Sequence, residues 1–183
     1  MRLRCGGLFI GRAARRVSEE LRDFILTQDA RITAMTGQWF GPGYRGNLMH
    51  GVEIHLDSAP PSRAVLAAER MASLGVVMLQ AIHQAYYVDG RPITATEVLL
   101  ELAEEIGLPV PTFNKIWRAI DDHELSRDIA DSRALMSKHG VSGLPTFVLE
   151  RDDTMTLLDH QHYYGKPQAW RAMLREGLQR TLH

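Results

Sequence analysis

Apolar residues recur along most of this chain at intervals of three and four, the spacing of amphipathic helices. Near each end they instead cluster in short β-rich runs. From residue 18 onward, Leu21, Phe24, Ile25, Ile32 and Met35 share one helical face. Ser18 stands where an N-cap oxygen is needed, Glu19 and Glu20 suit the positive first turn, and Gly37 offers a left-handed stop. A second helix is predicted over "SAPPSRAVLAAERMASLG", with Asp57 or Ser58 as cap, Pro60 or Pro61 in the first turn and Gly75 as its end. "VVMLQAIHQAYYVDG" is a third, apolar at Met78, Ile82, Ala85 and Tyr86. Thr94 and Glu97 have capping-box spacing for a fourth, which turns Val98, Leu99, Leu102 and Ile106 inward and stops at Gly107. Phe113, Ile116, Trp117 and Ile120 mark a fifth, and Leu125 to His139 a sixth.

The ends read differently. Arg2 to Cys5 is predicted as a short strand, broken by Gly6 and Gly7. "QWFGPGYRGNLMHGVEIHLD" has no sustained period and reads as a loop with one helical turn around Asn47 to Met49. "PTFVLE" and "TMTLLD" are strands joined by a turn at "RDD". "HQHYYGKP" is a loop, and Pro167 opens a last helix with Trp170, Met173, Leu174 and Leu178 on one face. Proline cannot donate to a sheet ladder, so Pro145 at the start of an inner strand needs a reason. A cis Leu144–Pro145 bond supplies one.

Composition narrows the classes. The chain has 183 residues, 45% hydrophobic and 23% charged, with a formal net charge of −1. These values suit one globular domain, or one carrying a large insertion, and argue against disorder. Bulk charge points to neither a nucleic-acid nor a membrane partner. No apolar run approaches the ~18 residues of a bilayer span. The chain is therefore expected to be cytoplasmic. There is a single cysteine, Cys5, so neither an internal disulfide nor a C-x-x-C pair exists within it.

Three stretches carry a family resemblance: "GGLFIG…VSEELRDFI…DARITAMTGQWFG", "DSAPPSRAVLAAERMASLG…LQAIHQAYYVDGRPIT" and "HGVSGLPTFVLE". Together they resemble the DsbA-like branch of the thioredoxin fold, which includes protein-disulfide isomerases and has the glutathione-dependent isomerases and kappa-class transferases as relatives. The resemblance implies an α/β, thioredoxin-like fold with a large helical insertion. Residues 1–16 and 141–183 would form the thioredoxin-like part, and residues 17–140 the inserted helical domain. Pro145 looks like the family's cis-proline. Gly143, Leu144 and Pro145 would then bind substrate through the backbone of Leu144, with Trp39 and Phe40 as further groove residues.

The departure from the family is as informative. The N-terminal βα unit, with its first strand, C-x-x-C and helix, is absent, and no catalytic residue can be assigned. The break is expected to reflect a chain that continues upstream, as a fragment or a reading from an internal Met. Re-pairing of the strands, or cover by a second copy in a homodimer, are the other resolutions. Cys5 falls on the predicted strand and is expected to be a small buried hydrophobe. The function implied is that of a thiol–disulfide oxidoreductase or isomerase, inactive as written. The alternatives are a glutathione-dependent isomerase or transferase of the kappa type, and a non-catalytic binding module. Protein thiols and disulfides or glutathione are the implied partners. No cofactor is expected unless glutathione serves as one. His50, His55, His160 and His162 read as surface histidines, because no Cys cluster or H-E-x-x-H accompanies them.

Overall fold

The computed structural model describes residues 2–49, 53–151 and 154–179. Strand β1 (Arg15–Arg16) pairs antiparallel with β2 (His55–Leu56), and β3 (Phe147–Arg151) with β4 (Thr154–Leu158). The helices are α1 (Glu19–Thr36), α2 (Pro42–Met49), α3 (Ala59–Ala72), α4 (Gly75–Tyr87), α5 (Thr96–Glu105), α6 (Val110–Ala119), α7 (Asp122–Lys138) and α8 (Pro167–Gln179). Short 3₁₀ turns lie at Gly11–Ala13 and His160–Tyr163.

The main core lies among α3 to α6. Ala64, Ala67 and Ala68 stand at i, i+3 and i+4 on α3, and all three are fully buried. Their small side chains let α3 receive Met78 and Ile82 from α4, Leu99 and Leu102 from α5, and Phe113 from α6. The predicted inward residues of α4, α5 and α6 are therefore found where the period placed them. The Trp117 indole is also covered, and its N–H donates to the Pro60 carbonyl at 3.2 Å, which satisfies a buried donor.

Cap chemistry fits at several ends. Ser18 Oγ accepts from the Leu21 N–H at 3.2 Å, Asp121 caps α7 through the Glu124 N–H at 2.8 Å, and Gly37 and Gly107 have φ of 75° and 82°. Elsewhere the structure corrects the expectation. Thr94 and Glu97 form no capping box: Ala95 is the N-cap of α5 and makes no side-chain cap bond. Gly75 does not close α3; Ser73 does, at φ 55°, and Gly75 is the first residue of α4. Gly75 N–H bonds Glu69 Oε2 at 3.0 Å, so a side chain takes the place of an N-cap.

The predicted loop after Gly37 contains a two-turn helix, α2. Its Gly43 lies so close to the Asp89 carbonyl that a Cβ there would overlap it. Phe40, Tyr44 and Leu48 are thereby buried in a second cluster with Ile25, Leu26, Tyr86 and Tyr87. This cluster also sets the rotation of α1. Ile25, Leu26 and Asp29 face inward, whereas Phe24, Ile32 and Met35, expected inside, are 59%, 37% and 41% exposed.

Arg2–Cys5 is not a strand. No ladder forms there, because the segment is fastened to a helix instead of a sheet. Cys5 N–H donates to Asp128 Oδ2 of α7 at 2.8 Å, and the Arg133 guanidinium donates to the Gly7 carbonyl at 3.0 Å. Beyond α7, Gly140 at φ 67° reverses the chain. The hairpin forms as predicted, with Phe147 opposite Leu158; its turn at Asp152 and Asp153 lies outside the described residues. Trp170 of α8 meets the Phe147 ring edge-on at 5.4 Å. No residue of β3, β4 or α8 is fully buried among those described.

Candidate functional site

The N-terminal segment and the end of α7 bound a cleft of about 500 Å³. Helical spacing on α7 builds one wall. Leu125 and Ile129, four apart, bury against Cys5, and the next turn brings Arg133, Met136 and Ser137 to the cleft. Gly6 and Leu8 form the floor, and Leu144 closes the opposite side. Gly6 lies directly under the Leu144 side chain: a Cβ there would stand 2.6 Å from Leu144 Cδ1 and displace it. Gly7 has φ 63° and faces Ile129, so these two glycines let the segment pass beneath Leu144.

The Leu144–Pro145 peptide bond is cis, as the sequence led one to expect. Gly143, Leu144 and Pro145 are all exposed, Leu144 by 50%. Thr146 Oγ1 donates to the Gly143 carbonyl at 2.6 Å and pins the turn. Leu144 comes before the first ladder pair of β3, and its own N–H and C=O have no partner among the described residues. The cleft thus has a free strand-like backbone edge at its mouth and an exposed guanidinium, Arg133, on its wall.

Trp39 is 60% exposed at the end of α1, but it does not line the cleft. Phe40 is only 4% exposed and packs tilted against Tyr44 and edge-on to Tyr87. Gly6, Leu8, Arg133 and Met136 do line it; Gly6 and Leu8 lie in the GGLFIG stretch of the family resemblance, but no sequence pattern marked Arg133 or Met136. A helix end and a loop meet there only once the chain has folded.

Cys5 is 8% exposed. Burial, then the adjacent Asp128 charge, push its thiol pKa up to about 12. Nucleophilic thiols need the opposite, a depressed pKa and access. The histidines do not converge: His55 is in β2, His162 bonds Asp159 at 2.8 Å, His160 lies against Phe147 and Tyr164, and His50 is outside the described residues. Among the described residues no three potential ligands could hold a metal ion. None of the described helices is long and apolar enough to cross a membrane.

The family model for the DSBA-like thioredoxin domain matches residues 48–163. A solved structure of the cytosolic disulfide reductase DsbM from Pseudomonas aeruginosa is 42% identical, with a TM-score of 0.88 over 97% of this chain and 83% of that one. A second structure of DsbM, with GSH, is also 42% identical, with a TM-score of 0.87 over 97% of this chain and 84% of that one. A protein from Nitrosomonas europaea, provisionally described as a protein disulfide isomerase, is 23% identical, with a TM-score of 0.69 over 91% of this chain and 78% of that one; at this identity the likeness shows fold alone. No match was found among curated protein sequences.

Proposed function

Because this chain belongs to the DSBA-like thioredoxin-domain family, with a thioredoxin-like fold carrying a helical insertion, we propose that it provides the substrate-docking half of a thiol–disulfide oxidoreductase. The observation that carries this reading is Leu144, exposed at the mouth of the cleft with its backbone N–H and C=O free among the described residues. An extended thiol or disulfide substrate would pair with that edge as an added strand. Gly143 and Pro145 hold the edge in place; Phe40, buried in the aromatic cluster, and Trp39, which does not line the cleft, have no part in this docking. Residues 1–16 and 141–183 form the thioredoxin-like part in this reading, and residues 17–140 the helical insertion.

Exchange needs an attacking thiolate and, for release, a resolving thiol. Cys5 is the single thiol of the 183 residues and is buried, so this chain docks substrate and does not itself exchange disulfides. Glutathione is the ligand we favour. The DsbM structure with GSH supports it, and so does Arg133, whose exposed guanidinium suits a glutathione carboxylate. We also propose the cytosol as the compartment, after the location named for DsbM.

Titration of ¹⁵N-labelled protein with glutathione disulfide tests the site. The largest amide shifts are expected at Gly6, Gly143, Leu144 and Thr146. Arg133→Gln should weaken binding about tenfold, the value of one lost charge-assisted hydrogen bond. Shifts confined to residues away from the cleft would reject the reading.

A further inference from the structure

A second cavity, of about 480 Å³, opens between α1, α4 and the segment Leu8–Phe9. Most of its lining is apolar or aromatic: Phe24 and Ile25 from α1, Ile82, Tyr86 and Tyr87 from α4, and Tyr44 from α2. In this setting stands one carboxylate, Asp29, which is 8% exposed. Its Oδ2 is shut off from solvent and has no hydrogen-bond partner among the described residues. The Tyr44 hydroxyl approaches closely enough to favour the charged form, and Arg45 attracts it from outside the cavity. Neither cancels the effect of burial, which raises the Asp29 carboxyl pKa above its ordinary value.

None of the other ionisable groups on the lining forms an ion pair with Asp29 among the described residues. Asp57 is committed to the Ala59 N–H at 2.8 Å, and His55 lies on β2. His83, on α4, is held toward its neutral form by burial. With one oxygen unpaired and Arg45 outside the cavity, the Asp29 carboxylate is held at a cost that either a proton or a cation bringing its own charge would relieve. Tyrosine rings around it add a second attraction, because their faces are electronegative. The walls are wide enough for an apolar body behind the charge.

We propose that this cavity binds a small organic cation, a primary amine on an aromatic or apolar body, with Asp29 as counter-ion and the rings of Tyr44, Tyr86 and Tyr87 as walls. The site is distinct from the disulfide-docking cleft. Leu8 borders both, so a bound amine would sit next to the docked substrate without sharing the Leu144 edge.

Phenethylamine and 2-phenylethanol, alike in shape and different in charge, are the probes. At pH 7.5, calorimetry and amide-shift mapping on the full chain should show saturable binding of the amine, with shifts on α1 and α4 and none at Gly143–Thr146. The amine should bind at least about tenfold tighter than the alcohol, and Asp29→Asn should remove that preference while leaving the alcohol unchanged. Equal affinity for the two probes in the wild-type chain would overturn the proposal, as would no binding at about 10 mM or an unchanged preference in Asp29→Asn. The wild-type comparison decides the matter even if the variant does not fold. Loss of glutathione binding at Leu144 would leave this result untouched.

Discussion

Alkylation of Cys5 tests whether its thiol is excluded from chemistry. An ordinary thiol with pKa 9.0 is about 9% thiolate at pH 8, whereas one near 12 is about 0.01% thiolate, a loss of about a thousandfold. Burial is the larger cause, and the second is the Asp128 charge, whose carboxylate also accepts the Cys5 N–H at 2.8 Å. Iodoacetamide should therefore modify the native chain about a thousandfold more slowly than the guanidinium-unfolded chain. The native rate should still climb with pH at pH 10, where an ordinary thiol has levelled off. Asp128→Asn removes the second cause and keeps the first, so it should speed alkylation by no more than about tenfold. The same shift has a stability signature. Above pH 9 the unfolded thiol releases its proton and the folded one does not, so stability falls as pH rises from about 9 to 12, by up to about 1.4 kcal/mol per unit. Tyr44 and Tyr86, also raised by burial, pull the same way, so the Cys5 share is read as the difference from Cys5→Ala. A native alkylation rate within tenfold of the unfolded rate would refute the reasoning and make Cys5 a site residue.

In an insulin-reduction assay with dithiothreitol, the chain should add nothing to the rate of dithiothreitol alone; a Cys5-dependent acceleration would contradict the docking-only reading. Gly43→Ala should cost roughly 1–3 kcal/mol in urea unfolding, because its Cβ meets the Asp89 backbone, which has no rotamer to yield. A midpoint unchanged within error would mean that the α2 contact relaxes freely. The β3–β4 hairpin has two outer edges without a strand partner among the described residues, and Leu144 and Leu157 are 50% and 39% exposed. We therefore expect a concentration-dependent dimer in sedimentation velocity, with an outer edge of the β3–β4 hairpin at the contact. A monomer with protected amides along both edges would rule that contact out.

Taken alone, the sequence determined the helices whose signals are local and whose cores are their own. Ser18, Gly37, Gly107 and Gly140 act within a turn of the residues they cap, and Phe113, Trp117, Leu99 and Leu102 lie on stripes that can be buried only one way. The Leu144–Pro145 turn and the hairpin after it were legible for the same reason, with all their determinants within about fifteen residues. The tertiary structure decided what depended on distant partners. The apolar stripe of α1 was real, yet the aromatic cluster of Phe40, Tyr44 and Tyr87 rotated the helix to bury Asp29 and expose Phe24. Arg2–Cys5 had strand composition, but its hydrogen bonds went to Asp128 and its neighbours to Arg133, more than 120 residues away. Both sites share this origin. The cleft and the cavity are spaces between elements, and a space has no sequence signature until its walls have been brought together.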